Sequence, residues 1–491
     1  MGDDAYTMRN IAPPVTRYGL TVAAAAAHDP SGTLAVRELS MHDAPPTQPW
    51  TRHPLLLLAV VALLARLMVA PFFGYRYDVS SYLEWTAYLA RHPLSTFYAA
   101  NLATPPDHLP GDLLIFAGIG HLAVFLDPGF TFSGPFAEML IRIVPITSDI
   151  LLGLLVYRAL RGRVSERSRL LAVAVVYCNP ALFTVSAIWG QWDSFAALLI
   201  ATTILIALDN PRRGMLVWPL LTFLVLIKPQ MAIFAPLLLI AQVRTATSTN
   251  RADGALAGPP SPDERGAARE RVLHNLVIGA AGSIAVFLAV TLPFGVGVPG
   301  QPGITWTIFD RVHFTIDRYT DVALGAHNLW ALLGFGYGDA DRQTAIAGLS
   351  FQTIGIILLV AAGILAILLA TVLNPPDWAL WTACFVMAMS IYMFPTRVHE
   401  RYMLPAIVCL FFMWPLLRAL LLIVLALSVT YTVSLAFSMS NGALGGGMEN
   451  LALAATNVLL FTIAGALAVR AGHPALRVHL PKRTLVIHRG T

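Results

Sequence analysis

The sequence predicts an all-α polytopic membrane protein, and three observations lead to this fold class. Of the 491 residues, 57% are hydrophobic and only 12% are charged, and the mean hydropathy is +0.68. These values are typical of chains with many membrane spans. A span needs about 20 apolar residues, so we expect about 12 transmembrane helices. The candidate stretches are 54–73, 137–158, 170–188, 194–208, 214–227, 230–243, 273–293, 343–372, 377–394, 402–417, 418–439 and 450–470.

The distribution of arginine predicts which loops face the cytoplasm. Cytoplasmic loops carry an excess of Lys and Arg, and arginines concentrate at 158–169, at 209–213 and in the C-terminal tail. This assignment holds only if the apolar run 111–126 does not cross the bilayer. We therefore expect that run to lie in the interface or to re-enter the membrane. The outer segments are then 74–136, 189–193, 228–230, 294–342, 395–401 and 440–449.

The same reasoning predicts the organisation of the chain. Residues 1–53 read as a disordered cytoplasmic tail without a secretory signal, 54–470 as the transmembrane catalytic domain, and 471–491 as a basic cytoplasmic tail. Within the domain, 74–136 forms a first outer loop with interfacial helices, 244–272 a flexible cytoplasmic loop and 294–342 an outer loop. Cytoplasmic anchoring explains the pI of 9.2, so no nucleic-acid partner is expected. Three cysteines within or beside apolar runs read as inert thiols.

Residues 189–194, Trp-Gly-Gln-Trp-Asp-Ser, form a polar bend between two apolar runs. A turn that only reverses the chain gains nothing from two tryptophans beside a carboxylate. Tryptophan is also common in the interfacial belt, so an aromatic-belt turn is the alternative. Asp193 favours function, because acids at the membrane edge are energetically costly and usually functional.

Asp78 lies where the first span leaves the membrane. The residues after it, 79–92, carry an apolar stripe that predicts a helix in the interface. A carboxylate held there could act on a substrate dissolved in the bilayer. The alternative is an ordinary aspartate that caps the helix.

Two further pairs of polar residues have alternatives of their own. Asp107 and His108 lie in a proline-rich segment, where they either join a site or only order the loop, and we favour the second. Arg142 and Asp149 are seven residues apart and so share one helix face. Charges inside a span must be paired or line a polar cavity, so interhelical hydrogen bonding and catalysis are both open.

The remaining outer segments supply cations. Lys228, one of only two lysines in the chain, stands beside Gln230 at a helix break, where it either contacts a phosphate or snorkels to the interface. Residues 397–401 bring two arginines and a His-Glu pair to one membrane edge, which favours function. His313 and Asp317 are too few to make a metal site, and we interpret 294–342 as a lid or docking loop.

Four motifs in order resemble the C-type superfamily of membrane glycosyltransferases. They are RYDVSSYLEW…DHLPGD, WGQWDS, LIKPQMAIFAP and PTRVHERYMLP, and the resemblance spans roughly residues 54 to 417. The nearest patterns are those of bacterial polyprenyl-phosphate-sugar transferases and of the ER dolichyl-phosphate-glucose and mannose transferases. The resemblance implies that Asp78 is the general base, that Asp193 shapes the site, and that Lys228 and residues 399–401 meet the donor phosphate. The first loop has no Asp-x-Asp or Asp-x-Glu, which argues against metal-dependent oligosaccharyl transfer.

The sequence thus predicts an inverting glycosyltransferase with a C-type glycosyltransferase fold, in the plasma membrane of a bacterium, with its site facing outside. It would move a hexose, mannose or glucose, from a polyprenyl-phosphate donor to a lipid, glycan or protein acceptor, without a metal or other cofactor. One base and cations on the leaving phosphate suffice for this chemistry. The alternative is a transporter or flippase for a lipid-linked sugar or another anionic lipid. We predict Asp78 as catalytic, and as substrate-binding Asp107, His108, Arg142, Trp189, Gln191, Asp193, Lys228, Gln230, Arg397, His399, Glu400 and Arg401.

Overall fold

The computed structural model describes residues 53–209, 211–248, 262–297, 303–440 and 447–473, and within these ranges the chain is mostly helical. Both predicted tails lie outside the described residues, apart from their innermost positions. The helices are α1 (His53–Val69), α2 (Arg76–Leu89), α3 (Pro110–Leu126), α4 (Gly134–Ala159), α5 (Glu166–Tyr177), α6 (Pro180–Phe183), α7 (Asp193–Asp209), α8 (Val217–Ile227), α9 (Ala235–Ser248), α10 (Pro262–Thr291), α11 (Ile308–Asp317), α12 (Leu329–Leu332), α13 (Phe351–Val372), α14 (Pro376–Met393), α15 (Leu404–Met413), α16 (Leu420–Met439) and α17 (Gly447–Gly472).

Four short strands accompany the helices. Strand β1 (Ala323–Leu324) pairs in parallel with β4 (Val398–His399), and β2 (Thr344–Ile346) pairs antiparallel with β3 (Leu349–Ser350). The predicted span 343–372 therefore begins as a small hairpin, and its helix begins only at Phe351. The sequence predicts a flexible loop at 244–272. The structure differs at residues 262–272, which form the first turns of α10.

Seven stretches of the described chain are long and apolar enough to cross a bilayer, as judged by length and composition. They are Gly134–Ala159, Glu166–Trp189, Pro229–Thr247, Pro262–Phe294, Phe351–Val372, Leu420–Met439 and Gly447–Gly472. Helices α1 and α3 are apolar but shorter. The prediction of a polytopic integral membrane protein is confirmed, whereas the count of about 12 spans stays a prediction.

Contacts between loops define two ends of the helix bundle. At one end Arg163 pairs with Asp377 at 2.5 Å, and Arg244 donates to the carbonyl of Leu373 at 3.0 Å. We call this the basic end. At the other end Lys228 pairs with Asp193 at 3.1 Å, and we call this the site end. The polar residues of the predicted outer segments therefore lie apart from the arginine-rich loops.

Helix α3 (Pro110–Leu126) lies beside the helix that carries Asp78. It runs alongside α2, with ring contacts such as Tyr82–Phe116 at 5.2 Å. A short linker, residues 127–133, then leads to α4, whose Arg142 hydrogen-bonds the Ala70 carbonyl at the end of α1. That 111–126 does not cross the bilayer stays a prediction. The interfacial position of α2 and α3 stays a prediction.

The most deeply buried elements are α14 and α15, where every residue from Trp378 to Met413 that belongs to either helix is buried. Helices enclosed on all sides are apolar all round, which is why these sequences show no polar face. A second apolar cluster packs α2 and α3 against the bend, through Trp85, Phe116 and Trp192. This second cluster fixes the helix that carries Asp78 against the bend at 189–194.

Candidate active site

The bend begins with a helix that is capped at its start and then widens into a π-helix. Asn179 caps α6 by accepting from the backbone N–H groups of Ala181 and Leu182, and the helix continues as a single π-helical stretch at Thr184–Trp189. Such π segments are rare and often lie at functional sites. Gly190 then takes φ +93°, a left-handed conformation that favours glycine. These features turn the side chains of Trp189 and Gln191 toward α2.

Both side chains hold the carboxylate of Asp78. The indole Nε1 of Trp189 donates to Asp78 Oδ2 at 2.8 Å, and Gln191 Nε2 donates to the same oxygen. Trp189 is only 2% exposed, and Tyr75 packs on its ring with centroids 5.0 Å apart. The bend is therefore more than an aromatic-belt turn, because its polar atoms fix a carboxylate that comes from another helix.

Asp78 does not act as the cap of α2. The N-cap position is Tyr75, without a side-chain hydrogen bond, and Asp78 lies in the first helical turn. A negative charge there is stabilised by the helix dipole. Both hydrogen bonds from the bend go to Oδ2, and Oδ1 receives neither of them.

A second set of charges lies around Asp193. Lys228 Nζ is 3.1 Å from Asp193 Oδ1, and Arg401 Nε is 3.8 Å from Asp193 Oδ2. Arg401 also lies 3.4 Å from Glu400. Lys228 reaches this position because its backbone is extended, φ −136° and ψ 94°, between α8 and a 3-10 turn that starts at Pro229. The break predicted at this lysine is therefore present.

Electrostatics join the two sets into one site. Burial lowers the pKa of Arg401, but the carboxylates of Glu400, Asp78 and Asp193 outweigh it and raise the pKa well above its usual range. Burial raises the pKa of Glu400, which Arg401 partly offsets. Burial, together with Arg401 and Lys228, holds the pKa of His399 well below its usual range. Arg401 is thus a permanent cation, while His399 is neutral at physiological pH. We call the set Asp78, Trp189, Gln191, Asp193, Lys228, Glu400 and Arg401 the acid–cation cluster.

Gln230 borders the same cluster from the membrane side. It lines a narrow cavity together with Asp193 and Tyr402, and the remaining walls are apolar, including Phe234 and Ile391. The cavity has a volume of about 10 Å³, which is roughly the space of one water molecule. Tyr402 also lies near Lys228, whose Nζ is 6.0 Å from the ring centroid.

Arg142, which the sequence predicts to bind substrate, lies beneath the bend. It contacts none of the charged groups of the acid–cation cluster. It is 0% exposed, donates to the Ala70 carbonyl and lies 3.4 Å from Glu138. An added Cβ on Gly74 or on Gly190 would come within 2.3 Å or 2.7 Å of its guanidinium nitrogens. The structure therefore packs Arg142 between the segment that precedes α2 and the bend.

Arg397 is also bound elsewhere. Its Nε and one terminal nitrogen contact the two oxygens of Asp341 at 2.7 and 3.2 Å, and its other terminal nitrogen donates to the Ile316 carbonyl at 2.8 Å. This bidentate pair holds the loop before β4 against the outer loop that contains α11. Within the described residues, Arg397 has no contact with Asp78 or Asp193.

Asp107 and His108 order the first outer loop. Asp107 accepts from the hydroxyl of Tyr319 at 3.1 Å and lies 3.6 Å from Arg318, so it connects the two outer loops. Burial lowers the pKa of His108, but the ion pair and hydrogen bond with Asp112 outweigh it and raise the pKa. These contacts agree with the loop-ordering alternative.

A buried ion pair beneath the bend was not predicted. Arg66 of α1 donates to Asp149 at 2.8 Å, and Ser186 of the π-helical stretch donates to the same carboxylate at 2.6 Å. The sequence signal was present, because an arginine inside an apolar run needs a partner. Its partner lies 83 positions away, which no local pattern reveals.

No group of three or more His, Cys, Asp or Glu side chains that could hold a metal ion occurs in the described parts of the chain. Metal independence stays a prediction. The three cysteines, Cys178, Cys384 and Cys409, are free thiols.

No protein-family model matches the chain, and no curated protein matches it in sequence. Two solved structures are similar over 87% of the chain. One is the oligosaccharyltransferase of Archaeoglobus fulgidus tethered with an acceptor peptide, at 14% identity and a TM-score of 0.42. The other is ArnT of Cupriavidus metallidurans bound to undecaprenyl phosphate, at 13% identity and a TM-score of 0.43.

Both similar proteins are C-type glycosyltransferases, the class that the sequence motifs resemble. The chain spans 56% of the oligosaccharyltransferase and 78% of ArnT. Because both TM-scores lie below 0.5, we draw no argument about activity from this likeness.

Proposed function

We propose that the chain is an inverting glycosyltransferase that moves a hexose, mannose or glucose, from a polyprenyl-phosphate donor to an acceptor hydroxyl. The observation that carries this proposal is the position of Asp78 in the acid–cation cluster. Its carboxylate is oriented by Trp189 and Gln191, and two cations lie on the other side of the cluster.

The proposed reaction uses one base and two cations. Asp78 Oδ1 accepts the proton of the acceptor hydroxyl while the hydroxyl oxygen forms a bond with the anomeric carbon. The bond between that carbon and the phosphate oxygen breaks, and the phosphate leaves with the bonding electrons. Lys228 and Arg401 stabilise its negative charge. Attack opposite the leaving group inverts the anomeric configuration.

The location of the site suits a donor with a long isoprenoid tail. The acid–cation cluster lies at one end of the bundle, beside the apolar helices. A donor could keep its tail among apolar side chains while its phosphate reaches the cations. We propose that this end faces outside, at the plasma membrane of a bacterium, because the arginine-rich loops lie at the opposite end.

The test is Asp78→Asn in the purified full-length protein, with synthetic polyprenyl-phosphate mannose and polyprenyl-phosphate glucose as donors. Asparagine keeps the shape of the side chain but cannot take a proton. We expect turnover, followed by mass spectrometry of the product, to fall by about 10²- to 10⁴-fold, while donor binding remains. Asp127→Asn, an exposed carboxylate of the first outer loop, is the control and should keep full activity.

A transporter makes the opposite prediction. It would move lipid-linked sugar across vesicles without forming a new glycosidic bond, and Asp78→Asn would leave that movement unchanged. Full transfer activity of Asp78→Asn would show that the base is assigned to the wrong residue.

A further inference from the structure

The basic end of the bundle contains a cavity that the proposed reaction does not use. Its volume is about 500 Å³, within the range of pockets that bind small molecules. It lies between the end of α4, the end of α7, the beginning of α14 and the end of α15. Arginines line its rim: Arg158, Arg161, Arg163 and Arg213.

Two of these arginines are left to bind a ligand. Arg163 pairs with Asp377 at 2.5 Å, and Arg213 lies 3.9 Å from Asp209. Among the described residues, the guanidinium groups of Arg158 and Arg161 have neither a hydrogen-bond partner nor a salt-bridge partner, and both side chains are exposed. The rim is thus positively charged after its internal pairs are formed.

The inner walls of the cavity are apolar. Leu155, Leu205 and Ile206 line one part. Trp381 and Phe412 form another, with their rings stacked at 4.3 Å between centroids and an interplanar angle of 6°. A ligand that fills this cavity therefore has an anionic group at the rim and a hydrocarbon part below it. A soluble anion would leave the apolar walls uncovered.

We propose that this cavity binds an anionic phospholipid of the leaflet at the basic end, with its phosphate on Arg158 and Arg161. Guanidinium groups bind phosphate through paired, charge-assisted hydrogen bonds. The cytoplasmic leaflet carries anionic lipids, and basic pockets between transmembrane helices bind such headgroups. The lipid would bind at the end of the bundle opposite the acid–cation cluster. The proposal therefore does not depend on the proposed transfer reaction.

The test is native mass spectrometry of the detergent-purified full chain after delipidation, titrated with phosphatidylglycerol or with phosphatidylcholine of the same acyl chains. We expect phosphatidylglycerol to bind at least about tenfold more tightly. The variant R158A/R161A should lose this preference. The matched control R167A/R418A removes two exposed arginines that do not line the cavity, and it should keep the preference.

A second variant changes the cavity without changing its charge. Leu205→Trp places a larger ring among the apolar walls and should also weaken binding of phosphatidylglycerol. Equal binding of the two lipids to the unmodified chain, or equal loss in R158A/R161A and in R167A/R418A, would overturn the proposal. Displacement of bound phosphatidylglycerol by millimolar inorganic phosphate would also overturn it, because the cavity would then be a site for a soluble anion.

Discussion

A single methyl group at Gly190 tests whether Arg142 holds the bend in position. An alanine Cβ there would lie 2.7 Å from Nε of Arg142 and 3.4 Å from its Cδ. Arg142 is fully buried and donates to the carbonyl of Ala70, so it cannot move into solvent to relieve the contact. We therefore expect Gly190→Ala to destabilise the protein and to shift the bend.

The magnitude has two parts. The left-handed conformation of Gly190, φ +93°, costs an alanine about 1–2 kcal/mol, and overpacking of a buried site costs a further ~1–3 kcal/mol. Gly162 provides a matched control, because it has φ +76° but no heavy atom within 4 Å of an added Cβ. Gly162→Ala should therefore show only the backbone part. The difference between the two variants isolates the contact with Arg142.

Unfolding in detergent measures the stabilities, and single-turnover transfer measures the chemical step. The bend carries Trp189 and Gln191, which orient Asp78. A displacement of about 1 Å in such a group can lower the rate about 100-fold. We therefore expect the folded Gly190→Ala variant to have a reduced single-turnover rate, and the Gly162→Ala variant to keep the wild-type rate. Equal unfolding free energies and equal rates for the two variants would refute the role of Arg142.

Three further substitutions test the other buried charges. Arg66→Met leaves Asp149 without its cation and should lower the free energy of unfolding by about 3–5 kcal/mol, and a second change, Asp149→Leu, should recover most of that loss. Arg397→Lys cannot make the bidentate contact with Asp341, so stability should fall by about 1–3 kcal/mol while the single-turnover rate stays within the wild-type range. Burial raises the pKa of Glu400, so donor binding should weaken as pH rises through that pKa, because the ionised carboxylate repels the donor phosphate. Donor titrations over a series of pH values should show this dependence in the wild type and not in Glu400→Gln.

Local sequence predicts the position of polar residues that stand at the ends of apolar runs on one side of the membrane. Asp78, Asp193, Lys228 and Arg401 each stand beside an apolar run, and the distribution of arginine assigns all four to the same side. The structure brings them together for that reason, although their roles in the reaction stay predictions. The apolar stripe of helical period predicts a helix at 79–92, and the structure has it three residues earlier, at Arg76–Leu89.

Local sequence does not reveal the partner of a charged residue when that partner is distant in the chain. Arg397 stands in a dense polar segment, but its partner Asp341 is 56 positions away. For Arg142 the sequence leaves interhelical hydrogen bonding and substrate binding both open, and the structure shows it bound to a backbone carbonyl and packed between two glycines. Tertiary pairing of this kind leaves no periodic pattern, so only the folded arrangement reveals it.

The balance of charge in the acid–cation cluster constrains how a phosphate could enter it. Three carboxylates, Asp78, Asp193 and Glu400, surround the two cations Lys228 and Arg401. A donor phosphate would therefore meet an excess of negative charge if all three acids were ionised. Protonation of Glu400, which burial favours, removes that excess and leaves the charge of Asp78 and the salt bridge between Asp193 and Lys228 unchanged. Donor binding and proton uptake at Glu400 are therefore expected to be coupled.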